Sequence, residues 1–258
     1  MRRFATVWVP PCLVLAGLVA LWEAWVRVRD IPRYVLPAPS RVAAAFWEMK
    51  GTLGPHVATT LVETVLGVLA GAAVGLSVAI AIAAWPVLRR MLEPLLVASQ
   101  TIPLIVLAPL LVLWFGFGMA PKVVVVVLIV FFPVTIATTA GLLAADRDQI
   151  DLVRSLGGSR SQLFRLVLFP AALPSFFAGL RIAGAYAVAG AVYGEFVGGE
   201  RGLGLVILRA NNSAKVDRVL VAVAIITVLS AGLFALVHLV SRLATPWLYL
   251  SHERTPRP

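Results

Sequence analysis

Apolar residues in this chain come in long runs separated by short polar connections, and the length of those runs carries the first inference. A helix needs about 20 mostly apolar residues to cross the roughly 30 Å hydrocarbon core of a bilayer. Six segments meet that requirement, at residues 7–26, 59–84, 95–115, 123–143, 176–197 and 219–244. The pattern predicts an all-α membrane protein: a polytopic bundle of six transmembrane helices, forming a single domain over residues 1–258. Arg2 and Arg3 precede the first run as they would in a secretory signal, but the run outlasts the 7 to 15 residues of a signal core and no small-x-small site closes it, so it reads as an uncleaved span. Within the second span Gly67, Gly71 and Gly75 recur every four residues, followed by Ala79 and Ala83; Gly179, Ala183, Ala187 and Ala191 repeat the device in the fifth. Such bare helix faces let backbones approach closely where lipid supplies no hydrophobic drive. Packing inside one chain is the expected use, ahead of a dimer seam.

Composition agrees: 60% of residues are hydrophobic, the mean hydropathy is +0.96, and 13% are charged, against roughly 25% in soluble domains. The net charge of +10 lies between the apolar runs rather than in a basic stripe with stacking aromatics. That excludes a nucleic-acid surface and points to membrane lipid and acidic partners. The single Cys12 permits no intrachain disulfide, and His56, His238 and His252 lack ligand spacing, so no metal site is expected. An even number of spans puts both termini on one side. Arg89 and Arg90 in one short loop, set against Lys122 in the next, place that side in the cytoplasm.

The connection between the fourth and fifth spans, residues 144–175, is patterned too well for a passive loop. Asp146 and Gln149 fit a capping box, Asp148 and Asp151 sit in the first turns, and Arg154 lies near the helix end. Gly157 and Gly158 stop that helix. Ser159 and Gln162 open a second helix with an apolar face at Leu163, Phe164, Val167 and Leu168, and Pro170 and Pro174 are expected to close it. The expectation is a helix-turn-helix knob presented to the cytosol.

The run Asp151 to Gly157, DLVRSLG, with Phe169-Pro170, Leu173-Pro174 and Gly179-Leu180-Arg181 after it, resembles the cytoplasmic "EAA" loop of permease subunits of bacterial ABC importers. Leu36-Pro37-Ala38-Pro39, Gln100-Thr101-Ile102-Pro103, Trp114-Phe115-Gly116, and Glu195 followed by Gly202-Leu203-Gly204 extend the likeness over most of the chain. It is similar to the nitrate/sulfonate/taurine-type branch, and within it to permeases for thiamine pyrimidine precursors and related heterocycles. Glu-Ala-Ala falls here on Asp151, Leu152 and Val153, so the acid is shorter and the alanines larger. Membership is unaffected, but larger aliphatics demand a wider or more apolar partner groove.

The resemblance implies a bacterial inner-membrane permease whose coupling helix, with Asp151, Leu152, Val153, Arg154, Leu156, Gly157, Pro170 and Pro174, docks on a separate ABC ATPase subunit. It also implies a homodimer and an extracytoplasmic solute-binding protein, for which residues 27–55 are a candidate docking segment beside the plainer reading of a solvated connector. No G-x-x-x-x-G-K-[ST] cradle occurs, so ATP and Mg belong to the partner and this chain needs no cofactor. Catalytic motifs such as H-E-x-x-H and G-x-S-x-G are absent as well, and no enzyme activity is expected. Candidate residues for a solute path are Gln100, Thr101, Tyr186, Tyr193 and Glu195. Glu195 otherwise sits at the membrane interface, while Glu63 and Arg181 lie near enough to helix ends to snorkel. The rival reading, an ion-gradient-driven secondary transporter, calls for broken helices or internal repeats around midplane ionisable groups.

Overall fold

The computed structural model describes residues 2–247 apart from Gln100 and Ile102. It is helical throughout: α1 (Arg2–Val28), α2 (Pro39–Ala84), α3 (Pro86–Ser99), α4 (Leu104–Phe115), α5 (Ala120–Leu143), α6 (Arg147–Ser155), α7 (Arg160–Leu163), α8 (Phe169–Gly198), α9 (Leu203–Asn212) and α10 (Val216–Ala244), with a π-helical turn, Phe164–Leu168, joining α7 to α8. Among the described residues there is no strand, and five helical stretches are long and apolar enough to cross a bilayer.

Three of the expected elements need correction. The third span, 95–115, is interrupted: α3 ends at Ser99, and the 12-residue α4 spans only about 18 Å at 1.5 Å per residue. The cause is local. Ser99 and Thr101 turn their hydroxyls onto the carbonyls of Leu96 and Ala98, at 2.9 and 2.7 Å, and Pro103, which has no N–H to continue a helix, caps α4 in an extended conformation.

The helix that carries the second span begins well before residue 59, at Pro39. The span is the last part of a 46-residue helix, about 69 Å long, so most of the expected external connector 27–55 is helical from Pro39 onward. Proline at the first helical position starts it, where a missing N–H costs nothing. Ala45, Met49 and Leu53, four apart, then bury one face against Val206 of α9 and Val221 and Ala222 of α10.

Pro170 and Pro174 do not close the second knob helix; both lie in the first turns of α8, which continues it into the fifth span. The π-helical turn makes this possible, because the N–H of Phe169 reaches back to the carbonyl of Phe164 just before the proline that could not have extended an ordinary ladder.

The core lies where α5 is packed between α2 and α8. Val68, Val126, Val130, Val134, Ala183, Ala187 and Ala191 form it, so the small-residue faces read from the sequence meet within one chain. A Cβ on Gly71 would stand 2.8 Å from the Val127 carbonyl oxygen, and one on Gly179 would stand 2.6 Å from that of Pro133. Both helices therefore touch the α5 backbone itself. By contrast α1 packs mainly on α2 and leaves most of its span uncovered.

Gly71→Val should lower the stability of the detergent-solubilised protein by about 1–3 kcal/mol, the usual cost of overpacking. Gly232→Val, where a Cβ meets nothing within 4 Å, should leave the thermal unfolding midpoint nearly unchanged.

Candidate functional site

The knob is built as its sequence suggests, with one change at its start. Asp146 caps α6, but its carboxylate accepts from the Asp148 N–H at 2.9 Å and forms no box with Gln149. At the other end the N–H of Gly158 donates to the Val153 carbonyl at 2.9 Å and that of Gly157 to Arg154 at 3.0 Å, the paired bonds of a Schellman stop. Gly157 carries φ of 77°, a left-handed conformation that a β-carbon penalises. A full capping box then opens α7: Ser159 N–H donates to Gln162 Oε1 at 2.7 Å, and Gln162 N–H to Ser159 Oγ at 3.3 Å.

Two surfaces result. Phe164 and Leu168 pack against the cluster of Ala79, Leu142 and Ala172, which ties the knob to the ends of α2 and α5. The opposite side is open. Leu152 and Leu156, one turn apart, are 59% and 78% exposed, flanked by the solvated Asp151–Arg154 pair at 3.6 Å. Val153 is half-buried and turned inward. The short helix α6, held at a fixed angle, thus offers two bare leucines on the open side of the knob.

The far end of α8 holds a second constellation, which brings two acids into the protein interior. Glu195 is fully buried within the protein: Oε1 accepts from the Thr60 hydroxyl at 2.5 Å and Oε2 from the Gly204 N–H at 2.6 Å. Thr60 Oγ1 in turn accepts from the Leu203 N–H at 3.0 Å, and His56 Nδ1 from the Gly202 N–H at 3.0 Å. The N-terminus of α9 has no cap of its own; side chains from α2 and α8 supply it. Gly202 is required there, since its φ is 130° and a Cβ would occupy the space of the Glu195 carboxyl group.

Glu63 does not snorkel. It is fully buried on α2 and accepts from Lys122 Nζ at 2.8 Å. Lys122 is likewise buried, in the first turn of α5, so it is no loop charge and its weight in the orientation vote falls away. An ammonium and a carboxylate withdrawn from water are tolerable only as a pair. His56, Thr60 and Glu63 recur at helical spacing on one side of α2, a polar stripe in an apolar run that could have revealed the site. The short helix α9 had no such signal.

Of the remaining path candidates, Gln100 lies outside the described residues, and Thr101 is exposed at the break between α3 and α4. Tyr186 and Tyr193 are 63% and 41% exposed. Two turns apart on α8, they share an open face of that helix. Glu195 is not beside them but locked on the packed side. Arg181 is half-buried, with Nε donating to the Phe177 carbonyl at 3.3 Å.

Lys122→Met should destabilise the protein by about 3–5 kcal/mol, because it leaves the Glu63 carboxylate buried without its partner; adding Glu63→Gln should recover much of the loss in a thermal double-mutant cycle. Thr60→Val keeps the shape but removes both of its bonds to Glu195 and α9. Amides 202–204 should then exchange with deuterium at least tenfold faster while the amides of α5 keep their protection.

Comparison with known proteins bears on both constellations. The family model described as "Binding-protein-dependent transport system inner membrane component" matches residues 64–246. A "Probable ABC transporter permease protein" of Haemophilus influenzae is 39% identical over 87% of this chain and 91% of its own. The riboflavin transport system permease protein RibX of Chloroflexus aurantiacus is 36% identical over 91% and 88%, and the formylaminopyrimidine transport permease protein ThiX of Halalkalibacterium halodurans is 35% identical over 92% and 95%. In structure, an inward-facing form of the MetNI methionine ABC transporter aligns with a TM-score of 0.68 at 21% identity, over 77% of this chain and 98% of that one. The helical framework, the knob between the fourth and fifth spans and these matches agree: the chain belongs to the binding-protein-dependent transport system inner membrane components, the permease subunits of ABC transporters.

Proposed function

We propose that this chain is the translocation subunit of an ATP-driven importer that brings a small heterocyclic solute, best matched by a pyrimidine precursor of thiamine, into a bacterial cell. The carrying observation is the knob: α6 is fixed in angle by a Schellman stop at Gly157, anchored to α2 and α5 through Phe164 and Leu168, and bare at Leu152 and Leu156. In this reading α6 docks into a groove of a separate ABC ATPase on the cytoplasmic side, with both termini of the chain on that same side. ATP binding draws two such subunits together, and the knob passes the displacement to α2, α5 and α8 as a rigid-body movement. Because α7 runs without interruption into α8, a push on the knob is a push on a spanning helix. Two copies of the chain enclose the solute path, an external binding protein delivers the solute, and hydrolysis is left to the partner.

The open face of α8 with Tyr186 and Tyr193 supports a flat, stackable solute, and RibX and ThiX carry names of heterocycle permeases. Taurine is the second solute class, supported by the taurine permease TauC of Escherichia coli at 30% identity. Vesicles holding the chain, its ATPase and its binding protein should take up formylaminopyrimidine in an ATP-dependent manner. Uptake of taurine but not the pyrimidine would transfer the assignment to the second class, and gradient-driven uptake by the chain alone would defeat the importer reading.

Gly157→Val should leave the chain inserted in the membrane but cut solute uptake at least tenfold at undiminished ATP hydrolysis, since a β-branched residue at positive φ changes the angle of α6. Leu156→Asp should instead reduce co-purification of the ATPase, which affinity pull-down from solubilised membranes measures directly.

A further inference from the structure

Where α1 ends and α2 begins, the chain makes a corner that transport does not account for. Glu23 is its pivot: it accepts from the Ser40 N–H at 2.9 Å, the Ser40 hydroxyl at 2.7 Å and Arg27 Nε at 2.6 Å, and so caps α2 from α1. Beside it opens a cleft of about 380 Å³ whose lining includes three guanidinium groups, Arg27, Arg33 and Arg41. Their conditions differ. Arg27 keeps its Glu23 pair yet is 68% exposed, and Arg41 is held between Glu48 and Asp217, each at 3.2 Å. Arg33 is exposed and makes no ion pair among the described residues. The corner's basic residues Arg27, Arg29, Arg33, Arg41, Lys50 and Arg218 outnumber Glu23, Asp30, Glu48 and Asp217 by six to four, a surplus positive charge that calls for an anion.

A second cavity identifies the kind of anion. An apolar groove of about 580 Å³ runs between the first turns of α2, at Val42, Phe46 and Trp47, and the stretch of α10 at Ala224, Ile225 and Val228. Residues 40, 41 and 44 line the cationic cleft while 39, 42, 43 and 46 line the groove, so the two cavities share the same turns of one helix on adjoining faces. A free phosphate has no use for the groove, and an apolar ligand has none for the arginines. Trp25 and Trp47 are 55% and 64% exposed, Arg29 and Lys50 lie over their rings at 5.3 and 4.6 Å, and such aromatics mark the level of lipid headgroups. Around them α1 is bare to its surroundings.

We infer that this corner is a binding site for one anionic phospholipid, its phosphate between Arg33 and Arg27 and an acyl chain in the groove between α2 and α10. The lipid would fill the space that α1, touching little besides α2, leaves open. It would therefore help to hold the first helix against the bundle.

The test is native mass spectrometry of the full chain released from nanodiscs containing palmitoyl-oleoyl phosphatidylglycerol or phosphatidylcholine. The wild-type chain should retain one phosphatidylglycerol and little phosphatidylcholine. Arg33→Ala should lower phosphatidylglycerol retention at least fivefold with an unchanged unfolding midpoint, because Arg33 has no ion pair to lose; Ala224→Trp, which fills the groove, should lower it likewise. Arg90→Ala, on α3, serves as the control and should retain the lipid. Equal retention in wild type and Arg33→Ala, or an equal loss in Arg90→Ala, overturns the site. Displacement of the bound species by millimolar inorganic phosphate overturns its assignment to a lipid.

Discussion

Helices in a bilayer gain nothing from hiding apolar surface, since lipid is as apolar as they are; what holds them is contact at close range. In this protein that contact is made by glycines on α2 and α8 against the backbone of α5. The geometry leaves no room for a methyl group at Gly71 or Gly179. Everything else is arranged about the three-helix layer that results. At one end of it the cluster of Ala79, Leu142 and Ala172 seats the knob, and its other end carries the ion pair and the clamp on α9.

The fully buried charged groups of this layer are each compensated by a partner from another helix. Lys122 on α5 answers Glu63 on α2, and Thr60 on α2 with Glu195 on α8 answers the free N–H groups of α9. A buried carboxylate that accepts two hydrogen bonds is poorly placed to hold a passing solute as well. The clamp is the fastening that keeps α9 on α2 and α8, while the tyrosines of α8 stay exposed.

The knob owes its effect to stiffness in two places. A Schellman stop and a capping box fix the angle between α6 and α7, and a π-helical turn carries α7 past Pro170 into α8 without a break. In the proposed importer a flexible joint at either place would absorb displacement instead of passing it on. The aliphatic Leu152 and Val153, which stand where the family motif has alanines, have different fates: Leu152 faces outward and Val153 inward. Only the first enlarges the exposed surface of α6.

Run lengths, small-residue periodicity and the Ser159–Gln162 pair were sufficient to predict the membrane class, the packing of the second and fifth spans and the knob, because each depends on residues near one another along a single helix. The break at residues 99–103 was harder to read, since its apolar residues continue across it and only hydroxyl and proline geometry ends the helix. The π-helical turn that carries Pro170 and Pro174 was hidden for the same reason. Glu63 and Lys122 were misjudged, and the partners of Glu195 went unseen, because distance from a helix end says nothing about which partner stands opposite, and a charge keeps its place in a membrane according to that partner. The sequence by itself determined which segments are helical and which faces must be bare; only the tertiary structure decided which polar groups meet, because those contacts join residues 59 and 135 positions apart, a separation that no local pattern spans.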